Sequence, residues 1–181
     1  MNEEKNMQKY LHLILLSICL FTIVQVQAQT ITIPDAAFKA KLLEASPANG
    51  IAEGCVGSFI KIDANSDNNI SVAEAAAVCR LHVEGSNINS LSGIEYFTNL
   101  EGLTCYGNQL TSLNVSIFPN FQTLNCNENK LISLNVSGLA NLENLYCAYN
   151  QLTNINLDGL SKLETLLADS NRLTNLNVNH L

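Results

Sequence analysis

The sequence predicts a mostly β solenoid preceded by a small helical cap. Two observations carry that prediction. The second half of the chain repeats with a period of 21 residues: "LEGLTCYGNQLTSLNVSIFPN" from Leu100, "FQTLNCNENKLISLNVSGLAN" from Phe121, "LENLYCAYNQLTNINLDGLSK" from Leu142 and "LETLLADSNRLTNLNVNHL" from Leu163. Within each repeat the apolar residues and one asparagine keep the same places, LxxLxLxxNxL, with Cys or Ala third among the apolar positions. A weaker copy starts at Leu81, with one extra residue in its second half. A unit this short cannot bury its apolar face alone, so neighbours must stack above and below it.

Taken in chain order, residues 1–28 come first and are read as a Sec-type signal peptide. Lys5 and Lys9 give a basic start, "YLHLILLSICLFTIV" is an apolar core short for a membrane span, and Val26-Gln27-Ala28 offers a small-residue cut site. Two acids and two bases leave with it, so the net charge stays at −7. No later stretch is long and apolar enough to span a bilayer, so no membrane span is expected after signal removal.

Residues 29–80 are expected to form the cap. "IPDAAFKAKLLEASP" reads as a short helix in which Asp35 is the N-cap, Phe38 and Leu42 share a face and Pro47 ends the run. "NGIAEGCVG" reads as a loop, "SFIKI" as a short apolar run and "VAEAAAVC" as a second helix, rich in alanine. The segment would cover the open edge of the solenoid. Cys55 and Cys79 flank the polar loop of the cap, and a disulfide between them is one expectation, two free thiols the other.

That polar loop, "DANSDNNISVAE" at residues 63–74, resembles EF-hand and dockerin-type calcium loops. The resemblance implies calcium as a cofactor, held by Asp63, Asn65, Asp67, Asn69 through its carbonyl, Ser71 and Glu74. Ile70 fills the apolar eighth place. The loop departs from the pattern at Asn68, where glycine is expected for a left-handed turn that asparagine also tolerates. A reading without metal stands beside it: "SVAE" is a capping box that starts the following helix.

Residues 81–181 carry the repeats. In each LxL the alternate side chains point the same way, so Leu103 with Cys105, Leu124 with Cys126 and Leu145 with Cys147 are expected to face inward. Asn108, Asn129, Asn150 and Asn171 stand where the chain leaves the strand, and are expected to form an internal ladder that satisfies the backbone at the corner. The repeats resemble those of leucine-rich-repeat proteins of the short bacterial kind. That implies a right-handed coil of parallel strands with little or no helix on its second side. Cys105, Cys126 and Cys147 form a column with the same period. Parallel stacking gives a poor disulfide torsion, and no His or acid joins the column, so small buried apolar side chains are expected.

The composition narrows the function. An acidic chain lacks the basic patch that nucleic acid requires. After signal removal only His82 and His180 remain, the latter next to the last residue, so a histidine-dependent catalytic site is not expected and the chain is not read as an enzyme. The N-x-S sequons at Asn69, Asn114 and Asn135 follow from the loop and the repeat consensus. Internalin-like modules of secreted bacterial proteins bind proteins or surface glycans. The resemblance therefore implies a secreted or cell-surface binding module whose partner is a protein or a glycan. The alternative is a non-catalytic spacer or targeting module of a larger secreted enzyme, since the sequence stops within a repeat at "NVNHL". On the outward face of the strands, Thr104, Tyr106, Asn125, Asn127, Tyr146, Ala148, Leu167 and Asp169 are expected to look out, bordered by Gly107, Glu128, Tyr149 and Ser170. Tyr106, Tyr146 and Tyr149, with Leu167 and Asp169, are the candidate partner-binding residues.

Overall fold

The computed structural model describes residues 29–178. The expected signal peptide and His180 lie outside the described residues. Among those described, no helix is long and apolar enough to cross a membrane.

The expected solenoid is formed, with strands on both sides of the coils that start at Leu100 and Phe121. Strands β3 (Gly102–Thr104), β5 (Thr123–Asn125), β7 (Asn144–Tyr146) and β8 (Thr165–Leu167) stack in parallel to build one sheet. Leu103 pairs with Leu124, Leu124 with Leu145 and Leu145 with Leu166, so the sequence repeat is the strand register. On the second side β4 (Ser112–Asn114) pairs in parallel with β6 (Ser133–Asn135). Leu103, Cys105, Leu124, Cys126, Leu145 and Cys147 are all buried. From the second side Leu113, Val115, Leu134 and Val136 meet them in a single core.

The weaker copy supplies β2 (Val78–His82), which places Leu81 beside Leu103, one residue further than the later steps. The extra residue is absorbed in the second half of that coil, where Ile94–Tyr96 make a 3-10 turn behind Gly93 at φ 102°. A side chain at Gly93 would meet Ile33 and the carbonyl of Thr32 at 3.0 Å, so glycine lets the N-terminal segment lie close.

The cap differs from expectation in two places. Helix α1 (Ala36–Leu43) is as read: Asp35 accepts from the Phe38 amide at 2.9 Å, Phe38 and Leu42 are fully buried, and the helix stops before Pro47. The stretch read as a loop, however, contains β1 (Ala52–Gly54), which runs antiparallel to β2 and occupies the edge of the sheet. Helix α2 (Val72–Ala76) is shorter than its alanine content suggested, because Val78 and Cys79 are drawn into β2. Pairing and burial of Val78 against the core outweigh local helix propensity here. The disulfide Cys55–Cys79 is formed, with Cα atoms 4.9 Å apart, and ties the β1 hairpin to β2.

Asp35 also fastens the cap to the first coil. Its second carboxylate oxygen accepts from the amides of Asn89 at 2.8 Å and Ser90 at 3.0 Å, more than fifty residues away in sequence. Desolvation pulls its pKa up, but the amides of Phe38, Asn89, Ser90 and Ala37 together hold it below the ordinary 3.8. A depressed carboxylate stabilises the fold above its unfolded pKa, and that contribution is lost as pH falls through the folded value. Melting temperature is therefore expected to drop on acidification below about pH 4, with a shallower slope in Asp35→Asn. Equal slopes in thermal melts would show that Asp35 does not couple to folding.

Candidate binding face and cap loop

Each main strand ends in a corner built by its asparagine. Asn129 donates through Nδ2 to the carbonyls of Cys105 at 3.0 Å and Cys126 at 3.2 Å, and accepts from the Leu110 amide at 3.0 Å. Asn108, Asn150 and Asn171 repeat this pattern in their own coils. The expected ladder is therefore present, and these amides serve the backbone. The residue just before each asparagine is left-handed: Gly107 at φ 67°, Glu128 at 53°, Tyr149 at 55° and Ser170 at 54°. This turn closes the strand and sets the adjoining side chain at the rim of the outer sheet face.

The outer face carries most of the expected groups. Tyr106 is 40% exposed, Tyr149 60% and Leu167 43%. Asp169 is exposed, whereas Tyr146 is half-buried, with its hydroxyl 3.4 Å from Asn144 Oδ1. Tyr146, Tyr149, Leu167 and Asp169 belong to two adjacent coils. Tyr106 stands two coils away from Tyr149, roughly 10 Å along the stack at the usual strand spacing. Ala148 is not exposed on this face: it is buried, and its amide donates to the Asn127 side chain at 2.7 Å. A methyl group beside a neighbouring amide is covered where a longer side chain would not be.

Glu84 also lies on this face, and the sequence reading missed it. The Leu81–Leu103 register sets Glu84 beside Tyr106, and the extra residue of the weak copy hides that alignment in the sequence. Its Oε2 atom is shielded from solvent and has no hydrogen-bond partner. Behind the face, Cys105, Cys126 and Cys147 are free and buried. Burial raises the Cys105 and Cys147 thiols to about 12, with Glu84 and Asp169 adding to each in turn, and raises Cys126 well above its ordinary value. They stay protonated and act as packing groups.

The cap loop has its turn but uses its carboxylates locally. Asn68 is left-handed at φ 62°, as its place in the pattern requires. Asp63 is buried, and accepts from the amides of Asp67 and Asn68, both at 3.1 Å. Asp67 accepts from the Asn69 amide and the Asn65 side chain. Glu74 accepts from Ala64 and Asn65 through Oε1, and through Oε2 from the amide and hydroxyl of Ser71, completing the capping box. Among the described residues no three His, Cys, Asp or Glu side chains converge as a metal-holding group. The remaining donors are the Asn65 amide, the Asn69 carbonyl and the Ser71 hydroxyl, oxygen ligands of the kind a hard cation takes.

No family model matches the chain, and no curated protein sequence is significantly similar to it. Solved structures are similar. The functional domain of InlJ from Listeria monocytogenes, which includes a cysteine ladder, matches with a TM-score of 0.60 at 35% identity, over 62% of this chain and 25% of its own. The internalin InlF of the same organism matches with a TM-score of 0.58 at 26% identity, over 86% of this chain and 43% of its own. The chain thus spans well under half the length of either protein. Repeat register, asparagine ladder and structural likeness agree that this chain is a leucine-rich-repeat solenoid with the fold of the internalins.

Proposed function

We propose that the chain is a binding module of a secreted or cell-surface protein, and that the outer face of its six-stranded sheet takes up a protein or surface glycan. Tyr106, Tyr146, Tyr149, Leu167 and Asp169 are the proposed contacts, and the role is recognition, not catalysis. The observation that carries the reading is the backbone of Tyr149. A left-handed conformation costs a non-glycine residue about 1–2 kcal/mol. The same corner holds Gly107 two coils earlier, so the fold itself accepts glycine there. Strand propensity does not account for this tyrosine, which lies outside β7 in the turn. A bulky ring held against its backbone preference, and left 60% exposed, points to use.

The test follows from that conflict. Tyr149→Gly is expected to melt at or above the parent temperature, by up to about 1 kcal/mol, since relief of strain exceeds the added chain entropy. The same variant should lose at least about tenfold in affinity, as for a central aromatic contact. Binding to cell surfaces, candidate proteins and a glycan array would be compared at equal protein concentration. Retained binding would remove Tyr149 from the recognition surface.

A second proposal concerns calcium. It is favoured by the left-handed Asn68 and the buried Asp63 carboxylate at the matching places of the loop. Asp63, Asn65, Asp67, Asn69, Ser71 and Glu74 would supply the oxygens, and binding would hold the cap to the first coil. A ligand that binds only the folded chain raises its melting temperature. Millimolar calcium is expected to raise it by a few degrees, roughly what 1 kcal/mol gives in a domain of this size. Asp67→Asn keeps an oxygen for the Asn69 amide, gives up the exposed bond from Asn65 and removes charge, and should abolish the rise while lowering the calcium-free melting point only slightly. No rise with the parent chain would dispose of the calcium role.

A further inference from the structure

We infer that the partner of the outer face is a protein presenting a Lys- or Arg-rich segment, and that Glu84 anchors it. This rests on the reading of that face as a recognition surface, and narrows it from protein or glycan to a cationic protein.

The face and its rim carry an excess of acid. Glu84, Glu128 and Asp169 stand on it or at its rim, and Glu101, Glu143 and Glu164 line the end where the strands begin. Two cations of this sheet are already engaged: Arg80 Nε lies 3.8 Å from Glu53 and its guanidinium donates to Gln122 at 3.4 Å, and Lys162, close to Glu164 in sequence, donates to Asn141 at 3.0 Å. Lys130 and Arg172 directly follow the corner asparagines and are exposed. Among the described residues the only other ion pair joins Lys41 to Glu44, so none of the six carboxylates makes an ion pair there. A surface of one sign raises the local concentration of ligands of the other and excludes those of its own.

Glu84 adds a specific anchor to this general field. Its Oε2 is the one buried side-chain oxygen or nitrogen among the described residues that has no hydrogen-bond partner. A shielded carboxylate oxygen without a donor is destabilising until one arrives. Glu84 as a whole is only half-buried, so part of its side chain is within reach of a partner. Gly85 follows Glu84, and apart from its two chain neighbours no atom lies within 4 Å of where its side chain would be. Gly107, next along the stack, faces only the bare backbone of Gly85. These two glycines leave the backbone beside Glu84 bare of side chains. The Gly85 amide bonds to the Tyr106 carbonyl at 3.0 Å, so the exposed Tyr106 stands in the adjoining coil. A lysine or arginine can lay its methylene stem along that ring and bring its charged head to the carboxylate. A neutral sugar would supply hydroxyl donors but would leave six carboxylates facing one another uncompensated.

The experiment selects a random twelve-residue peptide display library on the full chain at low salt. The expected result is enrichment of sequences with excess Lys and Arg, released as salt is raised. Glu84→Gln should weaken the selected peptides roughly tenfold or more. Glu128→Gln and Asp169→Asn should each cost roughly two- to fivefold and flatten the salt dependence. Enrichment of neutral or acidic peptides, no enrichment, or binding indifferent to salt or to Glu84→Gln would overturn the inference. The two readings fail separately. If neutral peptides or arrayed glycans bind and Tyr149→Gly abolishes that binding, the face is a recognition surface and the cationic partner is wrong. If basic peptides bind and Tyr149→Gly leaves them bound, the Glu84 site stands and the role of Tyr149 falls.

Discussion

Asn129→Ala is expected to cost about 3 kcal/mol, more than half the stability of a small marginal domain. The substitution removes the only acceptor of the Leu110 amide, which is buried between two coils. An orphaned buried donor alone costs about 1–3 kcal/mol. The amide nitrogen of Asn129 is lost as well, with its bonds to Cys105, Cys126 and Asn127. Those carbonyls keep other partners: Cys105 retains Asn108, and Cys126 retains Asn150. The loss is therefore nearer one orphan and two ordinary bonds than four orphans. Asn171→Ala should cost less, because that residue is only half-buried and water can replace it. Urea unfolding followed by circular dichroism would measure both, as a fall in midpoint at unchanged slope. Equal and small effects at the two positions would mean that the ladder is ornamental to stability.

Loss of the Cys55–Cys79 disulfide is the second large effect. The bridge closes a loop with a sequence separation of 24, which predicts about 3 kcal/mol from the chain entropy it removes from the unfolded state. It also pins β1 against β2, and β1 is the strand that occupies the sheet edge. A Cys55→Ala/Cys79→Ala variant is expected to melt lower and to expose the cap to protease before the repeats. Because Cys105, Cys126 and Cys147 are free and buried, they offer no replacement bridge while the fold is intact. A double variant as stable as the parent, with an equally resistant cap, would show that packing alone holds the edge.

The sequence made the solenoid legible because every coil repeats the same demand. Leu103, Leu124 and Leu145 recur in register, and the register is the strand pairing. The asparagines were legible for the same reason, as was the Asp35 cap, whose chemistry is local. The cap sheet was not. Ala52–Gly54 has no alternation of apolar residues, and becomes a strand only because β2 offers it an edge. The candidate face was partly legible. Alternation placed Tyr106, Leu167 and Asp169 correctly, but did not show that Ala148 is covered, since burial of a small residue depends on neighbours from other coils. The left-handed corner of Tyr149 had a signal in the alignment with Gly107, visible only once the column is read for backbone shape and not for side-chain type. Glu84 was hidden by the one-residue irregularity of the first coil.

The reach of the asparagine ladder has a consequence for how such a chain lengthens over generations. Each of these amides touches its own coil and the coil before it, and none reaches further. Every joint in the stack is thus written twice over in the same local grammar, and holds no information about its distance from either end. Duplicating one 21-residue unit in the gene would place a new rung between two old ones and offer the asparagine after it an equivalent carbonyl in the new coil. The inherited rungs would keep their faces, and the newcomer could drift in its outward letters while its inward letters stayed fixed. Recognition and architecture can then change at different speeds within one short word of sequence.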